Sequence, residues 1–107
     1  MSDQPQQASS DRRLAAIVFT DIVGYTSLMQ KDEGEALRTI ERHRSILEKY
    51  TREYKGRVLQ YYGDGSLSIF PSALEAVECA LDIQKELTQD PKVPLRIGIH
   101  LGDIKLQ

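Results

Sequence analysis

A chain of 107 residues, 40% hydrophobic and 28% charged, has room for one hydrophobic core and not for two. No stretch approaches the ~18 apolar residues of a membrane-spanning helix, and a formal charge of −2 lacks the basic excess of a general nucleic-acid binder, so neither a membrane segment nor a nucleic-acid partner is expected. The single Cys79 excludes an internal disulfide and a cysteine-based metal cluster, and its setting in a helical pattern makes it a small core residue.

Residues 1–12 hold no apolar core of their own and read as a disordered lead-in, not a signal peptide, so the expected compartment is cytoplasmic and the expected domain runs over 13–107. Leu14 to Phe19 is a continuous apolar run, the pattern of a strand covered on at least one face. Asp21 stands at the end of that strand, where a carboxylate costs several kcal/mol unless a cation, hydrogen bonds or water satisfy it. The segment Val23-Gly24-Tyr25-Thr26-Ser27 then leads towards a helix start. Free backbone N–H groups favour anions there, although glycine and hydroxyls before a helix also serve as plain caps.

From Asp32 to Tyr54 the residues Leu37, Ile40, Leu47, Tyr50 and Tyr54 recur at helical spacing, Asp32 and Glu35 form a capping box, and Gly56 supplies the stop. His43 lies near the apolar stripe as a boundary residue without an assigned role, and Arg38, Arg42, Arg44, Lys49 and Arg52 among glutamates make a solvated face. Two β-rich runs, 57–62 and 66–70, follow as a hairpin turned by Gly63-Asp64-Gly65, whose glycines tolerate positive φ. Ser72 and Glu75 cap a second helix with Ala73, Ala76, Val77, Ala80, Ile83 and Leu87 on one stripe, ended by Asp90-Pro91. Last, Leu95, Ile97, Ile99 and Leu101 alternate with Arg96, Gly98, His100 and Gly102 at strand period.

The order β-α-β-β-α-β predicts an α+β, ferredoxin-like fold: an antiparallel sheet in the order 4-1-3-2 with two helices on one face. The end of the first strand then adjoins the hairpin, and Asp21 meets Asp64. Two carboxylates so placed repel unless they share a proton or a divalent cation, and hard cations such as magnesium combine few carboxylates with phosphate oxygens. The sheet face without helices carries Val58, Gln60, Tyr62, Arg96 and His100, exposed or covered by a partner.

RRLAAIVFTDIVGYTSLM, GRVLQYYGDGSLSIFPSALEAVECALDIQKEL and VPLRIGIHLGDI are together similar to the catalytic domain of class III nucleotide cyclases, the adenylate and guanylate cyclase family. The F-x-D-I-x-G-[FY]-T pattern joined to Gly-Asp in a following hairpin carries the resemblance. It implies that Asp21 and Asp64 are catalytic, binding two divalent cations, Mg2+ or Mn2+, with the Ile22 carbonyl. It also implies that the amides of Val23, Gly24, Tyr25 and Thr26 hold the nucleotide's β and γ phosphates, and that the product is a 3′,5′-cyclic nucleotide.

In this family the site is shared across a dimer, so a homodimer is expected, with ATP favoured over GTP as the nucleoside triphosphate. Cyclases acting on ATP usually carry lysine, and those acting on GTP glutamate, where this chain has Gln60, the base-recognition position. The family domain continues into a second base-recognition residue and groups that stabilise the transition state, so the resemblance implies a domain truncated on its C-terminal side and inactive alone. A non-catalytic cyclase-like dimerisation module is the alternative, as is a guanylate cyclase. A diguanylate-cyclase hairpin would need a second acid and a phenylalanine where Gly65-Ser66 stand. An RNA-recognition module would need basic and aromatic residues on Ser66-Leu67-Ser68-Ile69-Phe70.

Overall fold

The computed structural model describes residues 12–105, so residues 1–11 of the expected lead-in lie outside the described residues. Seven elements follow in order: β1 (Arg12–Ile22), α1 (Tyr25–Lys31), α2 (Glu33–Glu53), β2 (Arg57–Tyr62), β3 (Gly65–Phe70), α3 (Ala73–Leu87) and β4 (Leu95–Lys105). One four-stranded sheet has the order β2-β3-β1-β4, all pairs antiparallel, which is the expected order read from the other edge.

Among the described residues the helices number three, not the expected two. Gly24, in the left-handed region at φ 75°, turns the chain straight from β1 into α1. Asp32 then ends α1 by donating its N–H to the Leu28 carbonyl (2.7 Å), and it caps α2 by accepting the Glu35 N–H on its side chain (3.0 Å). The second cap is as expected, with Ser72 Oγ accepting from the Glu75 N–H at 3.2 Å.

At the other end of α2 the left-handed residue is Lys55 (φ 66°), and Gly56 stands just past it. A Cβ on Gly56 would lie 2.5 Å from the Phe70 ring and 2.9 Å from the Ile69 carbonyl, so close packing of the chain on β3 demands glycine there. Arg42, on the face expected to be solvated, is half-buried and engaged. It donates to the Pro91, Glu86 and Gln89 carbonyls at 2.7, 3.2 and 3.5 Å, closing the C-terminal end of α3.

The core lies between the sheet and the helices α2 and α3. It gathers Ala16, Val18 and Ile22 of β1, Ile46 and Leu47 of α2, Phe70 of β3, Ala76, Cys79, Ile83 and Leu87 of α3, and Leu95. Cys79 is the core residue expected, and burial pushes its thiol up to about 12, which keeps it protonated and inert. Two expected stripe members are exposed instead, Leu37 at 52% and Val77 at 43%. His43 is a further correction. It is fully buried, because the stripe of α2 runs through Ala36, Thr39, His43, Ile46, Leu47 and Thr51.

A β-bulge between Val58 and Gln60 changes the faces of β2. Val58 packs on the core side instead of the open face, while Gln60 and Tyr62 keep their expected place on the face without helices. Among the described residues no helix is long and apolar enough to cross a membrane.

Candidate active site

Three strand ends meet at one edge of the sheet. Asp21 stands opposite Gly65 of β3 on one side and Arg96 of β4 on the other. Because facing residues of neighbouring strands share a face, Asp21, Arg96 and Tyr62 all emerge on the open side, and Gln60, Leu67, Phe19 and Gly98 form the next row along it.

The hairpin brings Asp64 beside Asp21, as the topology predicts. The Ile22 N–H donates to both the Asp64 carbonyl (3.3 Å) and the Asp64 side-chain oxygen Oδ2 (3.2 Å). One amide thus fixes the carboxylate against the end of β1. Gly63, at φ 55°, supplies the positive dihedral of the two-residue turn. Gly65 does not, and it is needed because the Thr20 carbonyl would lie 2.6 Å from a Cβ there.

Arg96 belongs to the site, a role that reading the sequence missed. Its Nε donates to Asp21 Oδ1 at 2.9 Å and its Nη2 to Oδ2 at 3.4 Å, an exposed forked pair that holds the guanidinium above its ordinary range through the hydrogen bond and then the charge. The signal was present as register, since Arg96 and Asp21 are cross-strand partners.

The loop expected to hold phosphate is partly engaged within the chain. The Val23 N–H donates to the Pro94 carbonyl at 2.9 Å, while Gly24, Tyr25 and Thr26 stand at the start of α1. No side chain caps α1, whose first-turn N–H groups have no acceptors within the helix.

Beneath this edge, on the helix side, lies a buried polar chain. Thr20 Oγ1 is 2.9 Å from His43 Nε2 and 2.6 Å from Ser66 Oγ, while His43 Nδ1 has no partner. Burial above all, and then the Arg44 charge, lowers the His43 imidazole to about 4, and the nearby Asp64 and Asp21 offset this only in part.

Among the described residues no three or more His, Cys, Asp or Glu side chains gather at metal-binding spacing. What the edge offers is two carboxylates with backbone carbonyls, all hard oxygen donors. That set suits a cation of the magnesium type which completes its shell with phosphate oxygens and water.

No family model matches the chain. A protein of Rhizobium meliloti (strain 1021) that bears an adenylate cyclase name is 40% identical over 104 residues, covering 90% of this chain and 18% of the relative. An adenylate cyclase of Streptomyces coelicolor is 33% identical over 96 residues, covering 88% of the chain and 25% of the relative. The chain thus spans a quarter or less of the length of these two curated relatives. Among solved structures, an adenylate/guanylate cyclase/hydrolase from Silicibacter pomeroyi superposes with a TM-score of 0.77 at 34% identity, over 90% of this chain and 60% of that one. A bacterial light-regulated adenylyl cyclase shares the fold, with a TM-score of 0.80 at 23% identity, over 88% of this chain and 32% of that one.

Proposed function

The chain has the fold of class III nucleotide cyclase domains, and on that premise we propose that its strand edge is the metal and phosphate half of a cyclase active site forming 3′,5′-cyclic AMP and pyrophosphate from ATP. The observation that carries this reading is the fixing of Asp64 beside Asp21 through the Ile22 amide, with Arg96 on the same edge. Two divalent cations, Mg2+ or Mn2+, would there lower the pKa of the ribose 3′-hydroxyl and neutralise the triphosphate and the departing pyrophosphate.

Asp21 and Asp64 supply carboxylate oxygens and Ile22 its carbonyl, while the amides of Gly24, Tyr25 and Thr26 hold phosphate oxygens. Arg96 adds a planar fork of donors suited to phosphate, within reach of the same carboxylate. The open face carries Phe19 and Tyr62, each 44% exposed, and takes a second copy of the domain, which supplies the groups of the other half-site. This edge lies in the cytoplasm, where nucleoside triphosphate is found.

The test is calorimetric titration of Mn2+ with a non-hydrolysable ATP analogue into the chain and into Asp64→Asn. Asparagine keeps an acceptor for the Ile22 N–H and removes the charge, so affinity is expected to fall by roughly 100-fold, the size of one close charge interaction at intermediate dielectric less its hydration. Equal affinities would remove Asp64 from the site.

Gln60 stands exposed in the row next to Asp21 and reads the base. Its amide both donates and accepts, so it admits adenine without rejecting guanine. The adenylate cyclase names of the relatives favour ATP. In the whole protein, Gln60→Lys is expected to raise the kcat/KM ratio of ATP over GTP by about 1–2 kcal/mol, one improved hydrogen bond. An unchanged ratio in both Gln60→Lys and Gln60→Ala would exclude contact with the base.

A further inference from the structure

We propose that Thr20, His43 and Ser66 are positioning residues, a buried rivet that sets Asp21 against Asp64 from the opposite face of the sheet. The proposal deepens the nucleotide and metal reading and rests on it. Thr20 immediately precedes Asp21, and Ser66 follows Asp64 by two residues. The two hydroxyl residues are themselves cross-strand partners, with their oxygens 2.6 Å apart. His43 reaches Thr20 from α2 at 2.9 Å, which ties a third element to the pair. Thr20 is 2% exposed and the other two 0%, so solvent satisfies none of them.

Packing alone gives no reason for this chain. The other core-facing residues of β1, namely Ala16, Val18 and Ile22, are apolar, and an apolar trio at 20, 43 and 66 would avoid the desolvation of an imidazole whose Nδ1 finds no partner. A directional chain of hydrogen bonds achieves what apolar packing does not. It fixes the separation and the rotamers of the strand pair next to Asp21–Gly65, the last pair before the hairpin. Beyond Gly65, Asp64 leaves the ladder, and the Ile22 N–H is the backbone donor that holds its carboxylate. A small shift between β1 and β3 at Thr20 and Ser66 therefore moves one carboxylate relative to the other. This is how partners outside a ligand shell tune affinity, typically by 10–100-fold.

Three variants of the chain test this at neutral pH: Thr20→Val, which keeps the shape and deletes the hydroxyl shared by both bonds, Thr20→Ser, which keeps the hydroxyl, and Ser66→Ala. Each is followed by calorimetry with Mn2+ and the non-hydrolysable ATP analogue, by urea unfolding, and by amide hydrogen exchange at Ile22 relative to Val18. Thr20→Val and Ser66→Ala are expected to bind about 10-fold more weakly and to lose protection at Ile22 more than at Val18, with Thr20→Ser near wild type in both. A shift in the urea midpoint alone, with affinity and relative Ile22 exchange unchanged, means a purely structural role and overturns the proposal. If the wild-type chain binds no Mn2+–nucleotide, the proposed function fails. Positioning is then decided by exchange, with selective loss at Ile22 sustaining it and uniform loss overturning it.

Discussion

Bringing this chain from pH 7 to pH 4 is expected to remove roughly 3 kcal/mol of stability through His43 alone. In the folded chain the imidazole titrates at about 4 against an ordinary 6.5, chiefly because it is buried and secondarily because Arg44 repels the added charge. The folded state therefore binds fewer protons than the unfolded state between these values. The contribution is complete above 6.5, is lost as pH falls from 6.5 to 4, and is flat below. In the protonated ring both nitrogens carry a hydrogen, and the one on Nδ1 finds no partner. Urea unfolding of wild type and His43→Gln at pH 7, 5.5 and 4.5 isolates the effect from the carboxylates, which both proteins share. Wild type should lose stability more steeply by close to one proton between 6 and 4.5. Parallel profiles would mean that His43 does not enter the fold neutral.

The capping pairs Asp32 with Glu35 and Ser72 with Glu75, the glycine-rich hairpin and the alternation after Leu95 act within a few residues, and each does what its pattern predicts. From those elements the sheet order follows, and with it the meeting of Asp21 and Asp64. What escaped depends on tertiary fit. The bulge after Val58 leaves the hydrophobic alternation of β2 looking regular while it turns Val58 to the core. The left-handed turn at Lys55 falls on a residue with no preference for it, because the neighbouring glycine is consumed by contact with Phe70. His43 read as a boundary residue because burial of a histidine depends on a partner, and Thr20 is 23 residues away. Arg96 gave no sign of its bond to Asp21 until strand register was known.

The same register that joins the carboxylates leaves almost no room around Gly65, so Gly65→Ala is expected to impair the site and the fold together. The Cβ would lie 2.6 Å from the Thr20 carbonyl and 2.8 Å from the Tyr62 ring. The ring can swing only by giving up the 3.2 Å hydrogen bond that Tyr62 Oη donates to the Ser66 carbonyl, and the carbonyl can retreat only by parting β1 from β3. Overpacking of this kind costs about 1–3 kcal/mol. The shift falls between Asp21, the register partner of Gly65, and Asp64, its neighbour in sequence, so Mn2+–nucleotide affinity should drop by about 10-fold or more in the protein that remains folded. Gly56→Ala is the control, for its Cβ meets the Phe70 ring at 2.5 Å and the Ile69 carbonyl at 2.9 Å, a clash of equal severity at the opposite end of β3. It should lower the urea midpoint by a similar amount and leave affinity unaltered. Equal affinities in the two variants, measured by calorimetry where both are folded, would show that the geometry at Gly65 does not govern the carboxylates.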